Sequence, residues 1–231
     1  MSEQLYNTER VLTAEIAKEI RWTASHTDFD HRKFICREWL EAKAIHNSVV
    51  EVPQGRLIYA IGKILHPVNV FEVGVGPGIT AHSLISSCPH MNYFGVDNMA
   101  SEFHRIAVSI TLDNIGRRLI SSGGTAGFRC IDSDNLNEFE HPNGPIDLIH
   151  IDGDHSYDHQ RRDVEKAIRS GAEWLLVDDC NDTEVVTACF HAWRNEWNKS
   201  WRGGLLPMVY FEDSRTGSFL FHSGMWKHLT A

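Results

Sequence analysis

The chain has 231 residues, 42% hydrophobic and 23% charged, with a formal net charge of -9. That size and apolar content suit one α/β domain with a full core and a helical addition. The acidic balance repels phosphate backbones and argues against nucleic-acid partners. No stretch reaches the roughly 20 apolar residues of a membrane span, and the polar opening MSEQLYNTER lacks the apolar core of a signal peptide. The five cysteines, Cys36, Cys88, Cys130, Cys180 and Cys189, are scattered without CxxC spacing. They point away from disulfides or zinc and toward a reducing, cytoplasmic setting. The pairs Arg117–Arg118 and Arg161–Arg162 fall in polar helical stretches and read as solvated faces.

Residues from Val11 to Leu65 read as helices. Leu12, Ile16 and Ile20 recur four apart, and Phe34, Leu40 and Ile45 gather around Trp39. Pro53 marks a turn before the helical run Gly55–Leu65. Residues 1–50 are expected to form a helical cap over the substrate, with Trp22, Phe29, Phe34 and Trp39 available to cover a site or to pack a core. Residues 51–231 form the main domain. From Val68 onward, the short apolar runs VNVFEV, NYFGV, GFRCI, IDLIHI and EWLLV alternate with helical stretches at Ile79–Ser87, Ser101–Leu119 and Tyr157–Ser170. Continuous apolar strands separated by helices predict a parallel sheet covered on both faces. A helix over Thr183–Trp201, N-capped by Asp182 or Thr183, precedes LLPMVYF and SFLFH, two strands joined by a turn.

FEVGVGPGIT places Gly74, Gly76 and Gly78 between a strand and a helix. Glycines there let backbone N–H groups approach a ligand without Cβ interference. The spacing is GxGxG, with Ile79 where the dinucleotide fingerprint GxGxxG needs its last glycine, which speaks against an NAD-type dehydrogenase. GVDN puts Asp97 at the carboxyl end of the second strand, where a carboxylate accepts both hydroxyls of a ribose. Asp132 and Ser133, just past the third strand, share that edge and can hydrogen-bond an adenine, with Asp134 an equal candidate.

IDLIHIDGDHSYDHQRRD and WLLVDDCND carry a second constellation. Asp152 closes the fourth strand, and Asp178 with Asp179 closes the fifth. Adjacent strands lie less than about 5 Å apart, so these carboxylates converge and repel unless a cation neutralises them. Oxygen ligation suits Mg²⁺, Mn²⁺ or Ca²⁺ better than zinc. Helix capping accounts for Asp154 and Asp182, but not for two aspartates directly after an apolar strand. His150, inside its strand, reads as a core residue. His155, three residues after Asp152, carries an imidazole that titrates near neutrality and can accept a proton.

Glu72 with the GxGxG loop, Asp97 and the closing hairpin resemble the class I S-adenosylmethionine-dependent methyltransferases from about Val52 onward. EVPQG, a helix and then FEVGVGPG are similar to the small O-methyltransferases of catechol and caffeoyl-CoA type. The resemblance implies a Rossmann-like sheet of strand order 3-2-1-4-5-7-6 and S-adenosylmethionine contacts at Glu72, Gly74, Gly76, Gly78, Asp97, Asp132 and Ser133. It also implies a divalent metal, Mg²⁺ foremost, at Asp152, Asp178 and Asp179. Catechol-type enzymes carry a lysine where this chain has His155; a histidine there looks more like the sugar-hydroxyl O-methyltransferases of natural-product pathways, in which it is the base. The implied activity is O-methylation of a small molecule, and a homodimer would fit. A metal-independent methyltransferase acting on a carboxylate, phosphonate or nitrogen, and a non-catalytic cofactor-binding partner protein, are the alternatives.

Overall fold

The side-chain alternation of the central strands decides the layers. The computed structural model describes residues 2–35, 37, 52–99, 102–197, 208–212 and 217–222. In chain order the elements are α1 (Ser2–His26), α2 (Val52–Leu65), β1 (Asn69–Val73), α3 (Ile79–Ser87), β2 (Asn92–Asp97), α4 (Glu102–Ser122) and β3 (Thr125–Cys130). There follow β4 (Leu148–Ile151), α5 (Tyr157–Ser170), β5 (Trp174–Val177), α6 (Thr183–Trp197), β6 (Met208–Glu212) and β7 (Gly217–His222). The sheet order is β3-β2-β1-β4-β5-β7-β6. The first five strands are mutually parallel and β7 runs antiparallel to both its neighbours. The strand order and closing hairpin are those the resemblance implied.

Val70, Leu148, Leu176 and Leu220 face one way and pack with Ile20, Leu57, Ile61 and Leu84 from α1, α2 and α3. Phe71, Val73, Ile149, Ile151 and Val177 face the other way against Val164, Ala167, Val185 and Cys189 from α5 and α6. Fully burying each such aliphatic side chain contributes about 1.5–3 kcal/mol. Ala17 and Ile20 of α1 belong to the same core as the sheet.

As the implied order has it, β3 pairs only with β2, and its residues lie at an exposed edge. Three details differ from the sequence reading. Pro53 does not precede the helix but sits in its first turn, where the missing N–H removes no helical bond. Arg118 is not on a solvated face: its guanidinium lies 3.8 Å over the Phe34 ring and donates to Ser86. Tyr157–Ser170 is capped by Ser156, with Asp154 accepting the Ser156 N–H, whereas Asp182 does accept the Glu184 N–H at the start of α6. Trp39, Leu40, Ile45 and Trp201 lie outside the described residues.

Candidate active site

All predicted site residues fall at or next to the carboxyl ends of β1 to β5, because parallel strands present the same end to one rim. A cavity of about 390 Å³ opens there, lined by Gly74, Gly76, Asp97, Asp132, Ser133 and Asp152, among others. Three backbone N–H groups converge on Asp97: Val75 and Gly76 donate to Oδ2 at 3.0 and 3.1 Å, and Met99 donates to Oδ1 at 2.8 Å. The aspartate thus holds the glycine loop in shape while facing the cavity.

The three glycines do different jobs. Gly74 has φ +82, and a Cβ there would lie 2.0 Å from the Asp152 carbonyl oxygen, so only glycine lets the loop cross β4 so closely. Gly76 has φ +47 and nothing within 4 Å of an added Cβ; it borders open cavity. Gly78 does not line the cavity. It starts α3 and packs under Thr111.

Glu72 lies behind the loop rather than in the cavity. Register pairs it with His150 across β1 and β4, and both face the α2–α3 layer. Its carboxylate accepts from Tyr93 Oη and lies 3.1 Å from His150 Nδ1. Burial alone would keep His150 neutral, yet Glu72, then Asp152 and Asp178, outweigh it and lift the pKa to about 8. The same contact and complete burial hold the Tyr93 phenol well above its ordinary range.

Asp132 and Ser133 both border the cavity. Asp132 caps the short helical turn that follows β3 by accepting from the Asp134 N–H. Ser133 Oγ donates to buried Asp163 at 2.9 Å, and Lys166 Nζ donates to the Ser133 carbonyl. Burial raises the Asp163 pKa to about 6. Asp134, the other adenine candidate, is committed to a bidentate pair with Arg162. Sequence reasoning missed Asp163, Lys166 and cavity-lining His159. The signal was their place on α5, the helix leaving the acidic loop.

The carboxylates divide into two groups around Asp152. His150, Asp152 and Asp178 each offer a ligand atom within 4.8 Å of the others, and so do Asp152, His155 and Asp179. Asp178 is buried, accepting from Gln54 of α2 and from Ser218 of β7. Asp179 holds φ +52, which turns its side chain toward His155 Nδ1 at 3.0 Å. His155 Nε2 lies 3.4 Å from Asp152 without hydrogen-bond alignment. Asp152 and Asp179 together push the His155 pKa up to about 10. An imidazole held this way is charged at neutral pH and donates. It accepts a proton only when another cation neutralises its two partners. Burial raises Asp152 to about 6, opposed by His155.

This sheet order, with a glycine loop and an acidic second strand bordering one rim cavity, defines the class I methyltransferase architecture. The chain has the class I methyltransferase fold, and residues 71–180, the stretch from β1 through the Asp178–Asp179 turn, match the family described as "Methyltransferase domain". Among solved structures, the O-methyltransferase TomG of Streptomyces achromogenes, involved in tomaymycin synthesis and bound to S-adenosylmethionine, is similar at 13% identity. The match covers 90% of this chain and 96% of that one, with a TM-score of 0.56. An O-methyltransferase of Bacillus cereus in complex with S-adenosylhomocysteine is 18% identical over 89% and 97% of the two chains (TM-score 0.55). The S-adenosylhomocysteine-bound methyltransferase PaMTH1 of Podospora anserina is 11% identical over 90% and 87% (TM-score 0.51). At these identities the likeness is one of fold. No curated protein sequence matches the chain.

Proposed function

We propose that the protein transfers the methyl group of S-adenosylmethionine to an oxygen of a small-molecule acceptor, in the cytoplasm, with a divalent cation assisting. The observation that carries this reading is the placement of Asp152, which borders the glycine-loop cavity and is shared by both acidic groups. Donor and acceptor would therefore meet at one aspartate. The two named O-methyltransferases of similar fold support oxygen as the acceptor atom.

In this reading Asp97 and the Asp132–Ser133 turn bind the ribose and adenine of the donor, and Gly76 gives it room. Glu72 acts from behind, through His150, by fixing the rim. The acceptor oxygen attacks the methyl carbon in line; an O–C bond forms, the C–S pair returns to sulfur, and S-adenosylhomocysteine leaves. Holding the two reactants in line is worth up to about 7–11 kcal/mol. Asp152 and Asp179 would hold the cation, and Asp178 would join through Asp152 only by giving up Gln54 or Ser218. When bound, the cation favours the ionised form of the acceptor hydroxyl. With Asp152 and Asp179 engaged by a cation, His155 would lose the partners that keep it charged and could take the acceptor proton.

A second reading is favoured by the same bridge: imidazolium His155 is itself the cation between Asp152 and Asp179, and no metal is required. Release of S-adenosylhomocysteine from a panel of phenols and sugar hydroxyls, with and without EDTA, separates the two. We expect turnover to vanish in EDTA and to return with Mg²⁺ or Mn²⁺. Unchanged turnover in EDTA selects the metal-free reading. Asp152→Ala is expected to lower turnover about 10³-fold while calorimetric affinity for the donor stays within a few-fold; no heat on donor titration into the wild type would end both readings.

A further inference from the structure

A second cavity, of about 530 Å³, lies on the α1–α2 side of the sheet, walled by Arg21, Pro53, Arg56, Leu57, Tyr210 and Phe211. Its volume falls within the range of small-molecule sites. It adjoins the rim already described. Gln54, which holds Asp178, sits on the same turn of α2 as Pro53, Arg56 and Leu57. Phe211 pairs in register with Ser218, the other partner of Asp178. A molecule with its reacting oxygen near the acidic group has this cavity beside it.

The chemistry of the walls is specific. Arg21 donates to the Tyr210 carbonyl at 2.9 Å and its guanidinium lies 5.1 Å from the centre of the Phe211 ring. Arg56 donates from Nε to the Phe29 carbonyl at 3.2 Å. Each guanidinium carries five N–H donors, so these contacts leave most of them unused. Among the described residues neither arginine is ion-paired with a carboxylate, whereas Arg32, Arg117, Arg161, Arg162 and Arg169 all are; Arg105, Arg118, Arg129 and Arg194 also lack such a pair, but none of them lines this cavity. Two unmatched guanidinium groups in one cavity stand out on a chain of net charge -9. Cationic walls with apolar surroundings focus the field and draw in anions. Guanidinium matches a planar carboxylate in two parallel bonds, and Leu57, Pro53, Tyr210 and Phe211 offer apolar surface for a ring.

We propose that this cavity is the acceptor-binding site and that the acceptor is an aromatic or similarly apolar acid, whose carboxylate is held by Arg21 and Arg56. The inference rests on the methyl-transfer reading for the word acceptor. The anion site itself stands on the cavity walls alone.

The test is calorimetric titration of the full chain, saturated with S-adenosylhomocysteine, with 3,4-dihydroxybenzoate and with its neutral amide, 3,4-dihydroxybenzamide. The acid is expected to bind about tenfold more tightly than the amide, as one charge-assisted pair allows. Arg56→Gln and Arg21→Gln should each erase most of that preference without changing affinity for the amide, and Arg56→Lys should keep part of it. Retained S-adenosylhomocysteine affinity in every variant shows that the fold is intact. Equal binding of acid and amide, no binding of the acid, or an acid preference that survives both glutamine variants would overturn the proposal. If the acid is preferred through the arginines but the wild type takes up no adenosyl donor, the anion site stands and the methyl-transfer reading falls.

Discussion

The two halves of the carboxyl rim are built on different principles. On the β1–β2–β3 side the backbone does the holding: three N–H groups fasten on Asp97, and Gly74 passes within contact of the Asp152 carbonyl. On the β4–β5 side the side chains hold one another, with His155 between Asp152 and Asp179, and Asp178 between Gln54 and Ser218. The shape of the first half is fixed by backbone geometry around one carboxylate. The second is a balance of charges, and its arrangement shifts with whatever cation is present.

The sharpest way to break this comparison is at the glycines. Gly74→Ala forces a methyl into the Asp152 carbonyl at a left-handed φ, and is expected to cost on the order of 4 kcal/mol, seen as a large fall in Tm. Gly76→Ala meets no atom and should cost only about 1–2 kcal/mol of backbone strain. Similar losses for both would show that the loop does not depend on its approach to β4.

Next in size is Asp97→Ala. Bonds to a charged acceptor are worth about 1.5–3 kcal/mol each. Losing the two to Val75 and Gly76 should therefore weaken donor binding at least about 100-fold by calorimetry. Affinity within a factor of three of the wild type would mean that the loop is shaped without this clamp.

The last test concerns pH and sharpens the other half. In EDTA, the folded-state pKa values of His150, about 8, and His155, about 10, both exceed the usual 6.5. The folded protein then binds more protons than the unfolded chain above that value. The stability these groups contribute is complete below about pH 6.5 and is lost as pH rises through 8 toward 10. Urea unfolding from pH 6.5 to 9.5 should show a falling midpoint, and His155→Ala should flatten the upper part of the slope. A wild-type midpoint that holds steady would remove the charge-balance account.

Most of the fold was legible because it rests on local pattern. Apolar runs with helical spacers marked five parallel strands, and the bounds of Ile79–Ser87 and Tyr157–Ser170 match to the residue. Strand-end position alone brought Asp97, Asp132, Ser133, Asp152 and Asp179 to one rim. What lay beyond the sequence was which way a side chain turns and what meets it there. Strand parity sends Glu72 and His150 into the layer behind the loop. The positive φ of Asp179 aims it at His155, and α2 delivers Gln54 to Asp178 from 124 residues away. The cavity of Arg21 and Arg56 is likewise a product of α1, α2 and β6 meeting. Periodicity along a chain encodes elements and their ends, whereas contacts between distant elements, and the pKa values they set, exist only once packing has chosen the neighbours.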